Sequence, residues 1–294
     1  MRIGIFGMGA VGCALLNELN GYEGLYVLAD RKRIERYNKN GFVINDNIIY
    51  PRCSDNVACD VIFVCVKNYD LAQALIDLKP FVNDDTIIIP LLNGIKAHDI
   101  IKEAYSNNRV LYGVINVEAN KLNNVAKVNK ILKLQFGEAN NTIKPEYLKE
   151  LEEVLLKYNV TYFIPEDMVR SMWTKWLLNM GINQLSALFN YTYKQMAEPN
   201  VLEVMFNIFD EVMMVAKAYD VNITEDDLKA TKDRCVKFSS NKVTSLTVDF
   251  YNRDKNEIDS FGGTLIKLAE NKNIDVPVNR TIYSLLKALE VNKK

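Results

Sequence analysis

The chain opens on a short apolar segment, Arg2-Ile3-Gly4-Ile5-Phe6, that reads as a buried strand. It runs through Gly7-Met8-Gly9-Ala10-Val11-Gly12 into the apolar helix start Cys13-Ala14-Leu15-Leu16. Further apolar runs at residues 25–29, 60–66 and 86–89 predict strands, and the near-continuous run at 60–66 fits a parallel strand covered on both faces. Amphipathic stretches at 31–40 and 71–78 predict the helices between them. Residues 42–50 read as a hairpin turning at Asn45-Asp46-Asn47. The β-prone runs at 110–117 and 125–136 are expected to complete the sheet as antiparallel edge strands. A helix from Pro145 to about Leu156 and a last short strand at 161–164 close this half.

From Pro165 the pattern changes to long helices: residues 168–188, 201–219, a helix opened by Thr224 and Asp227 in capping-box fashion, then 246–251, 264–270 and 279–289. The change predicts an α/β Rossmann-type N-terminal domain followed by an all-helical C-terminal domain. The expected division is a dinucleotide-binding domain over residues 1–166 and a helical substrate and catalytic domain over 167–294. Met205, Met213, Met214, Phe206 and Phe209 are expected to fill the helical core.

Length and charge narrow the function. A chain of 294 residues suits two domains, and a formal charge of −1 gives no bulk attraction for nucleic acid or an anionic membrane. Basic residues are interspersed with acids, with no basic–aromatic recognition segment. No apolar run reaches membrane-spanning length. The five cysteines show no zinc-ligand spacing, and with no secretory leader they suit a reducing cytoplasm. Cys13 and Cys65 read as core side chains. Paired magnesium carboxylates and a GKT/GKS phosphate loop are both absent, so no metal is expected.

The candidate chemistry starts at the glycine motif. Between a strand and a helix, Gly7 permits a tight turn, Gly9 lets the backbone approach a pyrophosphate, and Gly12 lets helix and strand pack closely. Met8, Ala10 and Val11 complete the turn, and the diphosphate would rest on helix N–H groups. The second strand ends in Asp30-Arg31-Lys32-Arg33. An acid there reads an unmodified ribose or caps the next helix, whereas Arg31 holds a 2′-phosphate by a forked contact, so NADP is favoured over NAD with both left open. Lys67 and Asn93-Gly94 follow strands on the expected ligand edge. His98, the only histidine, reads as an exposed or capping residue rather than an acid–base catalyst. Lys175, Asn179 and Asn183 recur in steps of four, which puts one cation and two amides on one helix face.

Taken together the chain resembles the 2-dehydropantoate 2-reductase (ketopantoate reductase) family over nearly its full length. The opening glycines, Lys67, Asn93-Gly94, the run Trp173-Thr174-Lys175-Trp176-Leu177-Leu178-Asn179 with Asn183, and Ser245, Asp249 and Glu257-Ile258-Asp259 match its motifs. Gly262 and Pro277 fall at the family's places, and Asn256 stands where many members have Thr. The resemblance implies hydride transfer from NADPH to 2-dehydropantoate, giving (R)-pantoate for pantothenate and coenzyme A synthesis. It implies Lys175 as general acid and Glu257 as the substrate-binding acid, with Asn93, Asn179, Asn183 and Ser245 orienting substrate. Arg31 and Lys67 become cofactor contacts, and Asn93 touches cofactor as well as substrate; the helical half could supply the face of a homodimer, and the sequence leaves the oligomeric state open. Tyr193 stands where some members have a substrate-contacting asparagine. Two other readings remain: a reductase of a different small 2-oxo acid, and a nucleotide-binding sensor or scaffold without turnover.

Overall fold

The structure, a computed structural model, describes residues 1–252 and 255–291. They form two compact units, Met1–Met168 and Val169–Lys294. The first holds the strands and five helices, in the order β1 (Ile3–Phe6), α1 (Ala10–Glu18), β2 (Leu25–Leu28), α2 (Arg31–Asn40), β3 (Phe42–Ile44), β4 (Asn47–Ile49), β5 (Cys53–Ser54), β6 (Val61–Val64), α3 (Leu71–Asp77), β7 (Ile87–Pro90), α4 (Ala97–Ala104), β8 (Arg109–Val110), β9 (Tyr112–Asn116), β10 (Ala119–Leu122), β11 (Val125–Val128), β12 (Lys133–Gly137), α5 (Lys149–Lys157) and β13 (Tyr162–Phe163). The second is helical: α6 (Met168–Phe189, its first residue still in the first unit), α7 (Tyr193–Met196), α8 (Pro199–Ala218), α9 (Glu225–Val236), α10 (Ser245–Asn252), α11 (Gly262–Asn271) and α12 (Pro277–Val291). The α/β unit followed by a helical unit is the fold class that the sequence predicts.

The main sheet has the order β5-β2-β1-β6-β7-β8, all neighbours parallel. Counted in chain order its six strands run 3-2-1-4-5-6, the doubly wound arrangement, with the order reversing between β1 and β6. Alternate residues face opposite layers, as the strand period requires. Ile3, Ile5, Val61, Phe63 and Ile89 pack with Ala14 and Leu15 of α1. Phe6, Ile62, Val64 and Ile88 pack on the other side with Leu71 of α3 and Ile101 of α4. Cys13 and Cys65 lie in the first of these cores.

The expected antiparallel edges do not belong to this sheet. Only β8 joins it, and in parallel. After Leu111 donates its last backbone bond to Ile88, the chain passes so close to the end of β7 that a Cβ on Gly113 would lie 2.2 Å from the Pro90 oxygen. From there β9 pairs outside the main sheet, with β12, itself beside β13. The hairpin β10–β11 joins β3 and β4 in a third sheet. The β3–β4 turn forms as expected: Asn45 and Asp46 take φ values of 50° and 70°, the geometry of a tight two-residue hairpin turn.

In the helical unit Trp176, Leu177 and Met180 of α6 are buried, as are Met205, Ile208 and Phe209 of α8. Gly181 brings these helices together, since a Cβ there would meet Met205 and Phe209 at 2.5 Å. One expectation for α8 fails. Met214 is 52% exposed, and Phe206 is half-buried with the Lys232 ammonium 5.2 Å above its ring, so α8 keeps a wet face. The Thr224–Asp227 capping box is present and takes a forked contact from Arg170. Glu211 accepts from the Val278 and Asn279 backbone N–H groups and so caps α12 from α8.

Candidate functional site

In the first unit four chemistry-bearing segments leave the C-terminal ends of adjacent parallel strands. The glycine turn follows β1, Arg31 follows β2, Lys67 follows β6 and Asn93 follows β7. This is the edge on which open α/β sheets bind ligands, and β1 and β6 flank the reversal of strand order. The Asn68 amide donates to the Asn93 carbonyl at 2.9 Å and ties the last two segments together.

The three glycines of the turn have different causes. Gly7 sits at φ +99°, where an added Cβ would lie 2.8 Å from the backbone of Cys65 and Val66. At Gly12 the Cβ would lie 2.2 Å from the Gly7 oxygen. The fold demands both. Gly9 has an ordinary φ of −76°, and the nearest atom to an added Cβ is 3.7 Å away. The protein itself does not need a glycine there. Gly9 is exposed and N-caps α1, which has no side-chain cap and no acid in its first turn. The early N–H groups of Ala10, Val11 and Gly12 are those that a helix leaves without an internal acceptor. Beside Met8 and Gly9 they suit an anion that approaches the backbone closely, and the turn fits a dinucleotide diphosphate.

Asp30 accepts from the Arg33 N–H at 2.8 Å and meets the Arg33 guanidinium at 3.2 Å. It caps α2. Arg31 and Lys32 are exposed and have no ion pair among the described residues. His98, expected to be exposed or capping rather than an acid–base catalyst, is half-buried near the start of α4. Its ring stacks on Tyr112 at 3.7 Å, its nitrogens face Asp99 and the Val110 carbonyl, and 14% of its side chain is exposed. Its Nε2 ties α4 to β8 through the Val110 carbonyl, while Nδ1 meets the neighbouring Asp99 of α4 itself.

In the helical unit Lys175, Asn179 and Asn183 stand on one face of α6. Asn183 is 5% exposed, yet neither its amide nor that of Asn179 has a hydrogen-bond partner among the described residues. Burial, opposed in part by attraction to Glu257, brings the Lys175 ammonium down from 10.5 to about 8. Glu257 is itself 5% exposed and precedes the turn leading into α11. That turn is fixed from two helices. Trp176 Nε1 of α6 donates to the Ser260 oxygen at 3.3 Å, and Tyr283 of α12 donates to Asp259 at 2.7 Å. Asn256 bonds Glu290 of α12 and accepts from the Ile258 N–H. Gly262 completes the packing, because a Cβ would lie 2.5 Å from Gln184 of α6.

Ser245, the first residue of α10, is exposed. Its helix is bound to α6 by a buried hydroxyl chain in which Ser186 meets Thr247 at 2.7 Å and Thr247 meets Thr244 at 2.9 Å. Asp249 is buried one turn further along α10. Tyr193 opens α7 and packs edge-on against Phe238 at 5.2 Å. A residue that sequence patterns do not single out is Lys121 on β10, whose ammonium donates to the Met8 carbonyl inside the glycine turn. The one signal for it is an inverted strand pattern, with Leu122 turned outward and Lys121 inward. No cluster of three or more histidine, cysteine or acidic residues able to hold a metal occurs among the described residues, and no described helix is long and apolar enough to cross a membrane.

Two family models match the chain in succession. Residues 3–141 fit ketopantoate reductase PanE/ApbA and residues 167–290 its C-terminal part. The chain belongs to the ketopantoate reductase PanE/ApbA family. The 2-dehydropantoate 2-reductase of Aquifex aeolicus is 24% identical, over 99% of this chain and 97% of the relative. A dimeric ketopantoate reductase from Staphylococcus aureus has a similar fold, with TM-score 0.85 and 21% identity over all of both chains. So does a D-mandelate dehydrogenase solved with NADH and anilino(oxo)acetate, with TM-score 0.88 and 18% identity over 99% of each. Family membership makes the protein an NAD(P)H-dependent oxidoreductase of small 2-oxo acids.

Proposed function

We propose that this protein is a 2-dehydropantoate 2-reductase that uses NADPH and yields (R)-pantoate. The observation that carries the reading is Lys175. It is a lysine with its acidity raised to about 8 beside a buried carboxylate, on the same helix face as two amides with unspent hydrogen-bonding capacity. A general acid works best with a pKa near the working pH.

NADPH would supply the hydride to the carbonyl carbon of the substrate. Lys175 Nζ polarises the carbonyl oxygen as negative charge develops there and then donates its proton, leaving an alcohol and a neutral amine that regains a proton from water. Glu257 favours the protonated lysine and accepts a hydrogen bond from the substrate's hydroxyl. Asn179 and Asn183 orient the substrate from the helix face, and Ser245 and Asn93 donate to its carboxylate. On the cofactor side, Gly7, Met8, Gly9, Ala10, Val11 and Gly12 hold the diphosphate, with Lys67 and Asn93 on the same strand edge. Arg31 binds the 2′-phosphate, an assignment favoured by the use of Asp30 as a helix cap. The enzyme works in the cytoplasm as a homodimer on this reading, the latter by analogy with the dimeric relative.

A second reading, reduction of another small 2-oxo acid, rests on Tyr193. A phenol fills more space than the asparagine some family members carry and has a different donor pattern. The test is loss of reduced-nicotinamide absorbance with NADPH and NADH across a panel of 2-oxo acids. The expected result is fastest turnover with 2-dehydropantoate and NADPH, lost in Lys175→Ala while NADPH binding persists. Preference for another acid selects the second reading. Turnover that survives Lys175→Ala overturns the mechanism.

A further inference from the structure

Edge strand β10 carries its residues the wrong way round for a strand with one dry face. Leu122 is 68% exposed, whereas Lys121 turns inward. An inward lysine blunts an edge against strand addition, and β10 is an edge of its sheet. That role needs only a charge somewhere on the strand. It does not account for where this ammonium ends, which is on the Met8 carbonyl between Gly7 and Gly9, 113 residues away in sequence. The lysine also lies 5.1 Å from the ring centroid of buried Phe42, which helps to fix its direction. Its charge is felt at Cys13, in the first turn of α1, where it opposes the effect of burial on the thiol.

The neighbourhood of that ammonium is the one whose shape the chain leaves unexplained. Gly9 has room for a side chain and an ordinary φ, so its bareness serves something outside the protein. We propose that Lys121 is a dinucleotide-binding residue: its ammonium, seated on the Met8 carbonyl, adds a positive charge to the turn that holds the diphosphate. The inference rests on the dinucleotide reading of the glycine turn and deepens it. The N–H groups of the turn supply direction, and Lys121 supplies the formal charge that a helix N-terminus, worth about half an elementary charge, does not match. The third sheet thereby takes a functional part, carrying a lysine from β10 to the turn after β1.

The role makes a specific demand on ligands. A cation serving the diphosphate acts equally on any nucleotide that has one, whereas a cation reading the 2′-phosphate acts on NADPH alone. The experiment measures dissociation constants of ADP, NADH and NADPH for the wild type, Lys121→Met and Lys121→Arg, at two ionic strengths and without substrate. Lys121→Met is expected to weaken all three ligands by a common factor of about 10 or more, with shallower salt dependence, and Lys121→Arg to recover much of the loss. Thermal unfolding confirms that each variant is folded. Equal affinity of the wild type and Lys121→Met overturns the inference while leaving the dinucleotide site intact. Weakening confined to NADPH overturns it too, by moving the lysine to the 2′-phosphate. A loss with unchanged salt dependence and no recovery in Lys121→Arg reduces Lys121 to a brace for the loop. A wild type that binds none of the three overturns the functional reading, and this inference with it.

Discussion

With Lys175 as the proposed proton donor, its acidity is expected to set how the rate responds to pH. A drop from 10.5 to about 8 corresponds, at about 1.4 kcal/mol per pH unit, to about 3 kcal/mol against the charged amine. Desolvation is the larger cause, and the Glu257 charge opposes it. The proton donor must be charged to act, so kcat/KM for reduction is expected to be level below pH 7 and to fall as pH rises through about 8. At pH 9 about one tenth of the plateau should remain, because about one lysine in ten is then protonated. Glu257→Gln removes the attraction that favours the charged form and leaves the desolvation. An opposite charge at close range moves a pKa by roughly 1–3 units, so the alkaline limb should move down by about one pH unit or more. At pH 8 the wild type would keep half of its plateau and Glu257→Gln about a tenth. The measurement is the position of the limb, not its height, since the same substitution also weakens substrate binding. Titration of isotope-labelled Lys175 by NMR gives the midpoint without substrate. A profile level to pH 10, or a limb that stays or rises in Glu257→Gln, would refute the reasoning.

The glycine turn and the start of α2 give two further expectations. Gly9→Ala should cost at most about 1 kcal/mol in urea unfolding yet weaken dinucleotide binding about tenfold or more, whereas Gly12→Ala should cost about 2 kcal/mol or more because its Cβ meets the Gly7 carbonyl. Equal stability losses in the two would remove the distinction. Asp30→Ala should lose about 1 kcal/mol through its cap and leave the NADPH-to-NADH preference in place, while Arg31→Ala should lower that preference about tenfold. A collapse of NADH binding in Asp30→Ala would return the acid to the ribose.

What the sequence makes legible follows from what is local in it. The unbroken apolar runs at residues 3–6, 61–64 and 87–90 encode a sheet covered on both faces, and Gly12 encodes a contact with Gly7 five residues away. Steps of four encode a helix face and so bring Lys175, Asn179 and Asn183 together. Strand propensity does not say which sheet a strand joins. β9 passes close over Pro90 and pairs with β12, which lies some twenty residues further on. His98 is held by Tyr112 fourteen residues later, and for Asp30 the sequence offers both a ribose contact and a helix cap, of which the Arg33 N–H contact shows the cap. The acidity of Lys175 is hidden in the sequence for the same reason, since burial and Glu257, eighty-two residues away, produce it.

The division between local and distant causes also says where substrate choice resides. The architecture is shared with a ketopantoate reductase and a D-mandelate dehydrogenase at about 20% identity, so the backbone alone does not select the acid. A lysine beside a carboxylate on a rigid helix serves any carbonyl that gains charge on oxygen, whatever its substituents. Discrimination must come from side chains that meet the rest of the substrate. Tyr193 is the departure that changes both volume and donor pattern, and it is held edge-on against Phe238 rather than free to swing. If the proposed substrate meets this phenol, acids shaped to it are expected to be favoured over those needing an amide there, with the proposed proton donor unchanged. On the proposed mechanism, reaction and substrate are set by different residues of the helical unit, and a change of preferred acid is expected to leave the alkaline limb governed by Lys175 where it is.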